Sequence, residues 1–382
     1  MTQRHAPELH ALAEALVTVD SVNPDLVPGG AGEGELAELV GGWLAERGVH
    51  VTYQEAAPGR LNVVGRVAGR GGGRSLMLNA HLDTVGTASM PEALRPLVSE
   101  GRLYGRGAHD TKASLAAAMV ATAGALDMDL RGDVLLAAVI DEEAGSKGTE
   151  ALLTEWVADA AVVLEPTGHR IAPAHKGFVW ADVEVRGVAA HGSDPIHGVD
   201  AILGMGHVLV ELDVLAHGLR DRAPSAGMTG SLHASLIGGG RELSTYPDSC
   251  TVAVERRTAP GESVERVLGE LNAALRAARA LDPDGRWEAS ASIRFARPAL
   301  TTPRDDPVVV ALERSCARVL GSAEVGPVSF WTDAALMSAA GIPSVVFGVI
   351  GDGMHSACEW VDLESMDAVA RVLTDAIGAF CT

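Results

Sequence analysis

Short apolar runs punctuate the first half of the chain and return near its end. Residues 76–78, 134–140, 160–164 and 344–349 are of strand length and almost continuously apolar. A half-exposed strand alternates apolar with polar side chains, so runs of this kind predict strands covered on both faces. The spacing of apolar positions predicts helices at 8–19 and 34–47, the second closed by Gly48, and further helices at 112–128, 147–157 and 332–340. A strand-like stretch covers 62–67. The glycine-rich segment 69–74 precedes a strand instead of joining one to a helix, which reads as a hairpin turn and not a phosphate loop. Strands alternating with helices predict an α/β domain built on a mostly parallel sheet.

Between residues 177 and 295 the pattern changes. It reads strand (178–187), helix (199–218), strand (231–238), strand (249–257), helix (262–280) and strand (287–295). That βαββαβ order predicts a small α+β unit with a four-stranded sheet. The first pattern resumes at Pro307 and finishes with a helix at 362–380. The expectation is one discontinuous α/β domain, 1–176 with 296–382, carrying an inserted domain at 177–295.

Composition narrows the function classes. The 382 residues suit two domains at ~100–200 residues each. Aromatics are only 4% against 47% apolar residues, so Ala, Val and Leu must fill the core. A formal charge of −20 repels nucleic acid and anionic membranes, and neither is expected as a partner. No apolar run reaches the ~18 residues that read as a membrane span. The N-terminal MTQRHAPELHALAEA lacks the apolar stretch of a secretory signal. Cys250, Cys316, Cys358 and Cys381 are far apart and form no CxxC pair. Reduced thiols and a cytoplasmic location are expected.

The chemistry sits just after the core strands. His81-Leu82-Asp83 follows the first run, Asp141-Glu142-Glu143-Ala144-Gly145 the second, and Glu165-Pro166 the third; a loop with Gly351 and Gly353 leads from the fourth to His355. Asp110 lies in a glycine-rich loop ahead of an Ala-rich helix. Open α/β sheets bind ligands at the carboxyl ends of their strands. Several carboxylates crowded there would repel one another and take up protons, and cations resolve this. Imidazole plus carboxylate, without thiolate, suits Zn²⁺ or a similar first-row ion. His81 and Asp83, two apart on an extended chain, point to one side, so Asp83 can accept the other ring N–H of His81. Glu142 and Glu143 point in different directions; one can bind metal while the other serves as general base. Each feature alone has an ordinary structural reading, but their joint occurrence at successive strand ends does not.

The segments Leu78-Asn79-Ala80-His81-Leu82-Asp83-Thr84-Val85, Gly105-Arg106-Gly107-Ala108-His109-Asp110-Thr111-Lys112, Asp141-Glu142-Glu143-Ala144-Gly145, Leu164-Glu165-Pro166 and His355-Ser356-Ala357-Cys358-Glu359 resemble, in order, five metal-site motifs of the M20 metallopeptidase and deacylase family. That family includes acetylornithine deacetylase, succinyl-diaminopimelate desuccinylase, aminoacylase-1 and glutamate carboxypeptidase. The resemblance implies two divalent ions, Zn²⁺ with Co²⁺ as an alternative. Asp110 would bridge them, His81 and Glu165 would complete one site, and Glu143 and His355 the other. Glu142 would be the general acid/base and Asp83 the partner of His81.

The inserted domain resembles the family's lid, which commonly carries a homodimer contact. Within it, Ala190-His191-Gly192-Ser193 matches the motif whose His polarises the scissile carbonyl, and Arg257 matches an Arg that contacts a substrate carboxylate. Ser244-Thr245-Tyr246-Pro247 stands where the family usually has Asn-x-Val-Pro, and Glu255 where it has Asp. The expected reaction is removal of an acyl group from a small N-acyl amino acid. A dipeptidase or carboxypeptidase acting on short peptides is the alternative, and a non-catalytic binding protein the third reading. No Gly-x-Ser-x-Gly or His-Glu-x-x-His motif supports another hydrolase class.

Overall fold

The computed structural model describes residues 6–283 and 285–382. In chain order the elements used below are α1 (Ala6–Thr18), α2 (Gly34–Glu46), β1 (His50–Ala57), β2 (Arg60–Val67), β3 (Leu76–His81), α3 (Ala113–Gly124), β4 (Val134–Val139), α4 (Lys147–Glu155), β5 (Ala160–Val163), β6 (Gly177–Arg186), α5 (Ala201–Arg220), β7 (Ser231–Gly239), β8 (Ser249–Thr258), α6 (Val264–Leu281), β9 (Glu288–Arg297), α7 (Pro307–Leu320), α8 (Ala334–Ala339), β10 (Ser344–Val346) and α9 (Leu363–Phe380).

The chain divides into two compact units. The first comprises Met1–Ala174, Thr301–Val328 and Thr332–Thr382. Its six-stranded sheet has the order β1-β2-β4-β3-β5-β10. β4, β3, β5 and β10 run parallel, while β2 and β1 add an antiparallel edge. This is an α/β fold with a mixed, mostly parallel sheet. Every residue of β3, β4, β5 and β10 is buried, as their unbroken apolar runs predict. One sheet face, through Leu76, Leu78, Val134, Leu136 and Val162, joins α1, α2, α3, α7 and α9 in a single apolar core. Seven buried residues of α3 are Ala, Leu or Met, small enough in the main for close helix packing in an aromatic-poor chain.

Two expectations change. The segment 69–74 is not a hairpin, because β2 and β3 are not neighbours; β4 lies between them. It is a crossover whose backbone hydrogen-bonds to Leu130 and Arg131. Glycines at 69, 73 and 132 are needed there because a side chain at any of them would overlap the facing backbone. Hairpin and crossover loops share the same composition, and only pairing tells them apart. The predicted helix 112–128 is interrupted: a wide turn over Ala108–Lys112 precedes α3, and a 3₁₀ turn follows it. β1, absent from the sequence expectation, is a half-exposed edge strand without strict alternation.

The second unit comprises His175–Leu300 and Ser329–Trp331. Its sheet, β7-β8-β6-β9, is antiparallel throughout. Val179, Ala181, Val183 and Val185 of β6 alternate inward to meet Met205, Val208 and Leu212 of α5 and Leu271 of α6. By length and composition α5 is the one helix among the described residues apolar enough to cross a membrane. It carries Glu211 and Asp213 and buries one face, Met205, Val208 and Leu212, in this core.

Candidate metal centre

Parallel pairing places the carboxyl ends of β3, β4 and β5 at one edge of the sheet, and the polar residues follow directly. His81 ends β3, Asp141 to Glu143 lie just past β4, and Glu165 lies two residues past β5. The wide turn at 108–112 contributes Asp110, whose peptide bond to Thr111 is cis. His355 comes from the loop after β10. Asp141 and His355, neither a glycine, hold left-handed backbone at φ 68° and 61°. Such conformations persist where surrounding bonds over-determine them, and they cluster at functional sites.

Five of these side chains converge in two groups. His81, Asp110 and Glu165 each offer a ligand atom within 4.8 Å of the others, and so do Asp110, Glu143 and His355. Asp110 serves both through different oxygens. Its Oδ1 lies 3.0 Å from His81 Nε2, and its Oδ2 lies 3.3 Å from His355 Nε2. Glu165 Oε1 is 3.9 Å from His81 Nε2, and Glu143 Oε2 is 3.1 Å from His355 Nε2. Ligands ~2.0–2.1 Å from a tetrahedral ion lie roughly 3.3 Å apart, and these separations bracket that value.

The electrostatics also fit cations. His81 commits its Nδ1–H to the Asp83 backbone carbonyl at 2.9 Å, which leaves Nε2 facing carboxylates. Burial alone would depress the His81 pKa, but hydrogen bonds to Asp110 and Asp83 and the charge of Glu165 push it well above the usual value. Hydrogen bonds to Asp110 and Glu143 push His355 up to about 10. Burial, with the charges of Glu165 and Asp333, raises Glu142 well above the carboxylate range; burial and the charge of Asp110 raise Glu143. Burial likewise raises Glu165. Without ions, protons gather where cations would sit.

Anchors hold the ligand-bearing loops. The Asp83 carboxylate lies 3.6 Å from the ring nitrogen of His81, the residue it is expected to orient. It also reaches the next loop, accepting from the backbone N–H of Glu142 at 3.0 Å and of Glu143 at 3.1 Å. Asn23 donates to both Asp83 (2.7 Å) and Asp141 (3.0 Å), and its Oδ1 accepts from Arg60. Arg60 in turn pairs with buried Glu33. On the other side, Glu359 accepts from the backbone N–H of Gly107, His109 and Asp110. Thr111 Oγ1 donates to the Leu164 carbonyl. Buried Asp333 accepts from Thr149 Oγ1 at 2.5 Å, and burial pushes its pKa up to about 6. The sequence expectation assigns no role to Asn23, Arg60, Arg106, Asp333 or Glu359. Of these, only Glu359 and Arg106 fall inside a quoted motif.

His191 and Arg257 lie in the second unit. His191 is exposed, its Nδ1 2.7 Å from Ser193 Oγ. β8 alternates burial, which separates its two arginines. Arg256 faces the helices, fully buried against Glu262 and Glu270. Arg257 points to the other sheet face, where it pairs with Glu255 at 2.6 Å and lies over the Phe178 ring.

Residues 77–379 match the profile described as peptidase family M20/M25/M40. An acetylornithine deacetylase of Myxococcus xanthus is 33% identical over 98% of each chain. A Bacillus subtilis deformylase acting on N-formyl-4-amino-5-aminomethyl-2-methylpyrimidine is 26% identical, covering 100% of this chain and 96% of that one. Among solved structures, aminopeptidase PepT of Bacillus cereus superposes with a TM-score of 0.82 at 19% identity, over 99% of both chains. A dinuclear metal-binding peptidase of Bacillus subtilis superposes at 0.76 with 16% identity, over 98% of both.

Proposed function

The chain belongs to the M20/M25/M40 peptidase family and is a hydrolase of amide bonds, and from that premise we propose that it is a two-zinc amidohydrolase removing an acyl group from an N-acyl amino acid. The observation that carries the reading is the pair of ligand groups sharing Asp110, with the unshared carboxyl of Glu142 beside them. His81, Asp110 and Glu165 would hold one ion, and Asp110, Glu143 and His355 the other. The mixed imidazole–carboxylate set supports zinc, with cobalt a functional substitute. When bound, the ions supply electrophilic activation of the scissile carbonyl and of the attacking water.

Glu142 does the proton work. It takes a proton from the water as the new C–O bond forms and gives it to nitrogen as the C–N bond breaks, leaving a carboxylate and an amine. Cations would cancel the neighbouring negative charge that raises its pKa, and so bring it toward a base's working range. Asp83 keeps Glu142 and Glu143 apart in role by fixing the peptide between them. His191 would donate to the developing oxyanion and Arg257 would meet the substrate carboxylate. The 33% identical deacetylase supports a deacylase over a peptidase, because the solved peptidases, at 19% and 16% identity, share the fold alone.

The inserted unit is proposed as a homodimer contact. Its support is an exposed apolar stripe, Leu203, Val210 and Val214 of α5, beside Leu236 and Ile237 of the edge strand β7. None of the four cysteines is paired, and Cys358 is exposed, which supports a reducing, cytoplasmic setting.

The test is turnover of a panel by zinc- or cobalt-loaded protein: N-acetyl and N-succinyl amino acids against dipeptides. Acyl amino acids should be the better substrates. Glu142→Gln should lower kcat by about 10²–10⁴-fold with metal content unchanged. Preference for dipeptides would move the assignment to a peptidase, and near-wild-type turnover by the variant would remove Glu142 from the mechanism.

A further inference from the structure

The two ligand groups do not depend on the same supports. The two unshared ligands of the first, His81 and Glu165, hang from the sheet. His81 is the last residue of β3 and is registered against Val139 of β4, while the amide just before Glu165, that of Leu164, donates to the Asn79 carbonyl. The second group draws two of its three ligands, Asp110 and His355, from loops outside the sheet.

Those loops are tied by one buried ion pair. Arg106 and Glu359 are each 1% exposed, and the guanidinium NH1 donates to Glu359 Oε2 at 2.7 Å. Glu359 Oε1 accepts from the backbone N–H of His109 (2.9 Å) and Asp110 (3.0 Å). Its Oε2 also accepts from Gly107 N–H at 3.1 Å. Arg106 reaches back with NH2 to the carbonyl of Ser356, the residue after His355, at 2.9 Å. The pair therefore fixes the Asp110 turn to the His355 loop at two points. Asp110 has a separate tie toward the first group, since Thr111 Oγ1 donates to the Leu164 carbonyl beside Glu165 at 2.7 Å.

We infer that Arg106 and Glu359 are positioning residues for one ion only, the one held by Asp110, Glu143 and His355. This rests on the two-metal reading above. Breaking the pair frees Asp110 from His355 while Thr111 still holds it toward Glu165 and His81. The two ions then part in affinity. Groups that orient metal ligands are typically worth 10–100-fold in metal affinity, and that loss should fall on one step.

The experiment is stepwise zinc titration of metal-free full-length protein, wild type against Arg106→Lys and Glu359→Gln, with bound zinc counted by native mass spectrometry and folding checked by circular dichroism. Gln at 359 sets an amide NH₂ against backbone N–H donors; Lys at 106 keeps the charge and loses the fork to Ser356. The expected result is two zinc ions in wild type. In the folded variants, one ion should bind within about twofold of wild type and the second at least about tenfold more weakly. If Glu359→Gln does not fold, Arg106→Lys decides the matter. Two ions at wild-type affinity in a folded variant, or equal weakening of both, overturns the inference. Fewer than two ions in wild type removes the two-metal reading itself, a separate outcome.

Discussion

His355 is half exposed, yet its hydrogen bonds to Asp110 and Glu143 lift its pKa to about 10, so at neutral pH it carries a proton on the nitrogen that a metal would need. Binding an ion there must release that proton. Calorimetric zinc titration at pH 7 in buffers of different ionisation enthalpy should show net release of at least about one proton per chain. Zinc affinity should rise with pH until about 10. No proton release would show that the imidazole is already neutral. The sign for stability follows. Raised groups, His355, Glu142 and Glu165, stabilise the metal-free protein below their unfolded values and lose that contribution as pH climbs through the folded ones. Depressed Asp83 and Asp110 act oppositely at the acid end. Of the converging residues, His81, Glu143 and Glu165 were legible because each comes just after an apolar run; His355 trails one by a loop, and Asp110 stood in a glycine-rich loop ahead of an Ala-rich helix. Asn23 was not: its partners Asp83 and Asp141 lie 60 and 118 positions away, and nothing local marks it.

At the scale of elements, the sheet's strands announced themselves wherever both faces were covered, because burial demands apolar side chains on both. β1 escaped because an exposed edge strand tolerates Thr52, Tyr53 and Glu55, and its one buried residue, Gln54, is polar. The crossover over β4 was misread because strand order is a property of pairing, which no local segment encodes. The same crossover gives a test. A methyl at Gly132 would overlap the Arg74 backbone carbonyl, and backbone cannot give way as a side chain does. Gly132→Ala should therefore destabilise by about 1–3 kcal/mol, seen as a lower urea midpoint at unchanged m. An unchanged midpoint would mean that the loop does not press on residue 132.

For the whole molecule, the interruption of one pattern by another made the insertion readable, since the βαββαβ spacing has no place within a run of alternating strands and helices. That Ser329–Trp331 rejoins the second unit was not readable, because a three-residue return leaves no periodicity. Association belongs to this scale. If α5 and β7 form a homodimer contact, charge placed on the exposed stripe should abolish it. Val210→Glu with Leu236→Glu is expected to convert a dimer to a monomer in sedimentation velocity, leaving zinc content unchanged. A wild-type monomer at micromolar concentration, or a dimer indifferent to both charges, would refute that contact.

Glu359 and Arg106 stand 253 residues apart in the chain. During synthesis the Asp110 turn emerges long before the His355 segment to which the pair ties it. A nascent chain that has made His81, Asp110 and Glu143 still lacks His355, Glu359 and the brace. The centre is thus the last thing to be finished. A chain cut short before residue 355 would lack both a ligand of the second group and the carboxylate of the brace.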